Sequence, residues 1–245
     1  MQFAQSFSLV ASFMIFVFLA AYSYTHRKVP GAFAFLILIV SAIVWNWGSL
    51  FELQAATLQG KILWRNIEQI GVFGLPISTV YFAVVYTRNG RYLKYAAAAT
   101  IPQVISVLLI LTDSLHHLMR ASAALQRSAV FGESLVIHST LLGSILVSYN
   151  FTLPLFAVAL LFLYARQLSP GFRKQVYILI LSFLYTFAVA FVKTAILERL
   201  NIFIHIAVLY TPAAVAVFFP YSSSVRSGFR PSRGIRCSKS SIRAF

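Results

Sequence analysis

Residues 31–51 read GAFAFLILIVSAIVWNWGSLF. The run carries no charge and is flanked by Arg27 and Lys28 on one side and Glu52 on the other. A helix of that length just spans the apolar core of a bilayer, which needs about 20 mostly apolar residues. Six further runs of the same kind follow from the chain on either side: 6–25, 67–87, 94–112, 142–165, 175–194 and 201–220. The first is not a secretory leader by pattern. No basic region precedes it, and its apolar stretch is longer than a leader core.

Composition agrees with this reading. Hydrophobic residues make up 60% of the 245 and charged residues 10%. A water-soluble domain of this size has too little interior to hide that much apolar side chain. The expected fold is therefore all-α, an integral membrane bundle of seven transmembrane helices, with the lipid bilayer as solvent.

The net charge of +15 raises nucleic acid as a partner. The basic residues do not form one face with interleaved aromatics, however, so nucleic acid is excluded on footprint. They sit in the gaps between apolar runs. The first, third and fifth connections and the C-terminal stretch hold 14 of the 20 Lys and Arg, and the other connections hold 6. That bias predicts an outside N-terminus and an inside C-terminus, for a multi-pass protein of the plasma (cytoplasmic) membrane. The longest connection, 113–141, is then external and is expected to fold as a small cap. After Pro220 the composition turns to Ser, Arg and Gly. Residues 1–220 are thus expected to form the membrane domain, and 221–245 a disordered basic tail in the cytoplasm.

No phosphate loop, zinc-protease helix or Ser–His–Asp set is present, and no catalytic residue is expected. Cys237 is the single cysteine, so an intrachain disulfide and a cysteine metal cluster are both excluded. No cofactor is expected. Lys193 lies at a helix end, where lysines reach for the interface rather than hold a retinal.

Two groups of residues remain as candidate sites. Trp45 and Glu52 lie on one face of the second helix, at i and i+7, with Gly48 between them. Glu68 and Gln69 are read as opening the third helix at the same depth, and Asn150 sits mid-way along the fifth and needs a partner inside the bundle. Together these five are candidates to line a ligand pocket. The plainer reading is interfacial anchoring by Trp45 and Trp47 with hydrated carboxylates. His116, His117 and His138 are candidate metal ligands in the cap, with Asp113 and His205 at similar depth. Their plainer reading is a set of interfacial histidines bonded to backbone and water. Gly71, Gly74 and Ser78, and likewise Ser144, Ser148 and Thr152, read as small-residue stripes for close helix packing. Pro76, Pro102 and Pro154 each free a backbone carbonyl inside a span.

Three stretches, YTHRKVPGAFAFLILIVSAIVWNWGSLFEL, LWRNIEQIGVFGLPISTVYFAVVYT and IPQVISVLLILTDSLHHLM, stand in this order. With IHST at 137–140 and YTP at 210–212 they resemble the seven-transmembrane N-terminal sensor region of bacterial histidine kinases and GGDEF diguanylate cyclases. The features carrying the resemblance include Arg27, Gly31, Trp45, Glu52, Trp64, Gly71, Pro76, Tyr86, Pro102 and the pair His116–His117. It implies a sensory input module of a two-component or cyclase-type signalling protein, truncated before its output domain. Its signal would be a small molecule or a membrane state, and its partner a cytoplasmic signalling protein or a second copy of the chain (a homodimer). The rivals are a small transporter or channel and a membrane-embedded enzyme.

Overall fold

The computed structural model describes residues 2–28, 31–128, 132–192 and 210–226. Lys193, Glu198, His205, Cys237 and the stretch from residue 227 onward lie outside the described residues. The fold is mostly helical. In order, it runs α1 (Gln2–Thr25), α2 (Ala32–Gln54), α3 (Leu58–Tyr86), a single 3-10 turn (Gly90–Tyr92), α4 (Leu93–Leu111) and the short α5 (Asp113–His116). The hairpin strands β1 (Arg120–Ser128) and β2 (Gly132–Ser139) follow, then α6 (Leu141–Tyr149), α7 (Thr152–Ala165), α8 (Pro170–Val192) and α9 (Thr211–Arg226). Among the described residues six helical stretches are long and apolar enough to cross a membrane, with α6 and α7 together counting as one. The protein is a multi-pass membrane protein.

The core lies where α1, α2, α3, α7, α8 and α9 meet. Phe16, Phe35, Phe82, Leu161 and Leu179 are fully buried there. The closest packing is between α2 and α3. A Cβ on Gly71 would come to 2.3 Å from the Trp45 nitrogen and 2.6 Å from the Ser41 oxygen, and one on Gly48 to 2.6 Å from the Glu68 Cα. Gly74 meets the Ser41 side chain instead, where a Cβ would come to 2.9 Å from Oγ. At Gly48 and Gly71 the seam between α2 and α3 is thus backbone to backbone, which no larger residue fits.

Three departures from the sequence reading follow from local chemistry. First, α3 begins at Leu58 rather than 67. Thr57 caps it by accepting the Gly60 N–H on Oγ1 at 3.1 Å. The extra turns carry Lys61 and Arg65, whose charge lowers the apparent hydropathy, so the α2–α3 connection is only Ala55–Thr57. Second, the predicted cap is an antiparallel hairpin, with Leu125 opposite Leu135 and a bulge between Arg120 and Ser122. β1 has no β-branched or aromatic residue, so its strand character is invisible to propensity. Third, the fifth span is broken. The amides of Asn150 and Phe151 turn to carbonyls three residues back, Val147 and Ser148. Pro154 has no N–H to offer the Asn150 carbonyl, which is the physical cause of the break.

α9 continues to Arg226, six residues past the change in composition at Pro220. It is gripped at two levels. The Tyr210 ring meets Trp45 edge-on with centroids 4.7 Å apart, and the Phe218 ring meets Tyr22 edge-on at 4.9 Å.

Candidate functional site

One cavity of about 690 Å³ opens between the seam and the hairpin. Trp45 from α2, Glu68 and Gln69 from α3, and Asn150 from the break all lie on its wall. So do Phe183 and Phe187 of α8, and Ala213, Ala214 and Val217 of α9. Its size and mixed lining fall in the usual range for small-molecule sites.

At the end of the cavity near the start of the hairpin, two carboxylates share one guanidinium. Arg65 Nη2 donates to Glu52 Oε1 at 2.7 Å, and Arg65 Nε lies 2.7 Å from Glu52 Oε2 and 3.6 Å from Glu68 Oε2. Trp45 Nε1–H donates to Glu68 Oε1 at 3.0 Å. Lys61 Nζ donates to the Glu52 main-chain carbonyl at 3.0 Å, satisfying one of the last carbonyls of α2. Glu52, Lys61 and Glu68 are all buried. This cluster staples α2 to α3 just above the glycine seam. Glu68 therefore sits three turns into α3, not at its opening, and Glu52 stands behind Arg65 rather than on the cavity wall. Sequence reading missed Arg65 and Lys61 because their segment reads as a loop. The clue was present: Lys61, Arg65 and Glu68 fall at i, i+4 and i+7, one helix face.

Asn150 was expected to find a partner in the bundle. Its Oδ1 is buried and has none among the described residues, and the side chain borders the cavity instead. Ser144 and Ser148, expected at a helix contact, also border the cavity. Their α6 is tied to α4 by the Tyr149 hydroxyl, which donates to the Ala99 carbonyl at 2.9 Å. Two polar side chains that the sequence reading did not single out, Asn46 and Gln103, are fully buried without a side-chain partner among the described residues.

The three histidines do not gather. Among the described residues no group of three or more His, Cys, Asp or Glu is placed to hold a metal. His116 Nδ1 accepts the Leu118 N–H at 3.1 Å, and Nε2 lies 3.0 Å from Thr112 Oγ1. Both ring nitrogens are thus occupied, leaving no lone pair for an ion. His117 is exposed in the left-handed conformation that ends α5, and His138 is exposed on β2 opposite Ser122. Asp113 is buried and spends its carboxylate on the Met119 N–H, at 2.8 Å. These groups hold the cap in place.

Arg120 completes the wall at the first residue of β1. Its guanidinium is half-buried. Burial pulls its pKa below the ordinary value, and Asp113 opposes that shift. Among the described residues it makes no ion pair and no side-chain hydrogen bond.

A family model described as the N-terminal 7TM region of histidine kinase matches residues 8–223. The chain belongs to that family. The match takes in every described helix from α1 to the last turns of α9, and so the whole cavity. The family is a sensor region, not itself catalytic, which makes this chain a membrane sensory module in signal transduction. No curated protein matches the chain.

Proposed function

We propose that the chain is the sensory input module of a histidine kinase in the plasma membrane, with seven spanning helices, the N-terminus outside and the C-terminus in the cytoplasm. The observation that carries this reading is the composition of the cavity wall. It joins the α2–α3 seam, the hairpin and the α6–α7 break to Ala213, Ala214 and Val217 of α9, the last described helix. A ligand in that cavity touches the element through which a sensor of this family reaches its output. Any occupant that prefers one packing of α9 over another shifts the population of the two.

The signal is a small molecule or a membrane state, and the recipient is a cytoplasmic partner or a second copy of the chain. The excess of Lys and Arg in the odd-numbered connections supports the orientation. The description of the matching family supports a kinase output over a cyclase one.

The test is a chimera with a histidine-kinase catalytic core joined after Arg226. Ala214→Phe, which fills the cavity beside α9, should change autophosphorylation several-fold in membranes, and Glu68→Gln should blunt the response to the signal. Unchanged kinase output in both variants would refute the reading. Reporter fusions after Arg91 and after Pro220 should read cytoplasmic and one after Ser122 external. An external signal at Arg91 overturns the orientation.

A further inference from the structure

The two arginines on the cavity wall are in opposite states. Arg65 is saturated by Glu52 and Glu68. Arg120, at the same end of the cavity, has Asp113 and Glu52 acting on it only from beyond ion-pair distance. A half-buried guanidinium without a counter-ion is costly. Among the described residues its five N–H donors meet no side-chain acceptor, which leaves them open to a ligand. Among the described residues the charged groups on the wall are Arg65, Arg120 and Glu68, two cations against one anion. Below that level the wall is mainly apolar, with Val72, Leu75, Ile110, Phe183 and Phe187 prominent, and the Asn150 amide marks its far end at the break. Arg120 pairs with Ser139, just before α6, and α6 then runs to the break beside Asn150. At the helical rise per residue the apolar part is roughly 14 Å deep.

We propose that the cavity binds an amphiphilic organic anion, with its head group on Arg120 and its apolar body running down toward the α6–α7 break. This rests on the reading of the cavity as the sensory pocket. A guanidinium takes a carboxylate or phosphate through two parallel N–H donors, so a planar anionic head is the natural complement. A neutral head leaves the charge unmet, and a cationic head adds to it. The apolar length below selects a molecule with a chain or ring system rather than a small polar metabolite.

The experiment uses the full chain in nanodiscs of zwitterionic lipid, with Trp47→Phe and Trp64→Phe leaving Trp45 as the reporter on the cavity wall. Three probes share one chain brominated beside the head group, at the level of Trp45, where bromine quenches tryptophan on contact: 2-bromoundecanoate, the matching 2-bromo alcohol and the matching 2-bromoalkyl trimethylammonium. The carboxylate should quench saturably and be displaced by unbrominated undecanoate. The other two should need concentrations about ten-fold higher, worth about 1.4 kcal/mol. Arg120→Gln should raise the half-saturation of the carboxylate about ten-fold and abolish its advantage over the alcohol, whereas Arg120→Lys should keep part of that advantage. Equal quenching by acid and alcohol in the chain with native Arg120, or an Arg120→Gln chain that binds the acid unchanged, overturns the anion assignment and leaves the sensory cavity standing. If none of the three probes quenches saturably, the anion assignment and the ligand cavity fall together.

Discussion

At Gly71 and at Gly143 an added Cβ would come to the same distance, 2.3 Å, from a backbone atom. At Gly71 that atom is the Trp45 nitrogen, inside α2. At Gly143 it is the Met119 oxygen, in the connection that leads into the hairpin. The first neighbour is held by a helix hydrogen-bond ladder and a buried ion cluster. The second is held by two hydrogen bonds, from Met119 N–H to Asp113 and from Thr140 N–H to the Met119 carbonyl. More than half of the apolar window of α2 is buried in the protein, against less than a quarter of that of α4. The bundle therefore has a stiff wall, α2–α3, and a compliant one, made of α4, the hairpin and the broken α6–α7. The cavity lies between them. A pocket with one fixed and one yielding side can close on a ligand by carrying Arg120, on the yielding side, toward the fixed one.

The contrast can be broken most directly at Arg65. Arg65→Met removes the guanidinium that buried Glu52 and Glu68 share and should destabilise the folded protein by about 3–5 kcal/mol, measured by unfolding in mixed micelles. Adding Glu52→Gln and Glu68→Gln should recover most of the loss. A loss below about 1 kcal/mol would mean that the cluster does not stiffen that wall.

Gly71→Ala should cost about 3 kcal/mol, because neither helix backbone can retreat. Gly143→Ala carries the same steric conflict but faces a connection that can shift, and should cost about 1 kcal/mol by the same assay. Equal losses at the two glycines would erase the distinction between the walls. At the small end, Asn150→Leu removes a buried oxygen that has no partner among the described residues, and stability should stay within about 0.5 kcal/mol or rise. A drop of 2 kcal/mol or more would reveal a partner for Asn150 and a more rigid break than the geometry implies.

Much of this was legible in the sequence, for reasons that differ from residue to residue. Uncharged runs such as 31–51 declare a span because the bilayer tolerates little else. Trp45 and Glu68 could be set at one depth by counting helix ends, and they are hydrogen-bonded. Arg65 was lost because a paired charge and a solvated one look alike in a hydropathy window, so about two and a half helical turns were taken for a loop. The hairpin was lost because its first strand is built from Ala, Ser, Leu, Gln and Arg, and pairing rather than propensity makes it a strand. The histidines illustrate the converse. Residue type and a place in the cap made them candidate metal ligands beside the plainer reading of backbone-bonded histidines, and His116 engages Thr112 and the Leu118 N–H while the left-handed turn at His117 ends α5.

The two aromatic grips on α9 have a mechanical consequence. Tyr210 lies eight residues above Phe218, and Arg226 lies eight below it. With the Phe218–Tyr22 contact as fulcrum, the two arms are each about 12 Å long at the helical rise. A sideways push of about 1 Å on the upper arm then swings the lower end by about the same amount in the opposite direction. Pro220 has no amide hydrogen, so the ladder is one bond short just below the fulcrum, and some of the swing is taken up as bending. Such a lever reverses the direction of a displacement without enlarging it. Whatever α9 drives must therefore respond to movements no larger than a side chain's own rearrangement in the cavity.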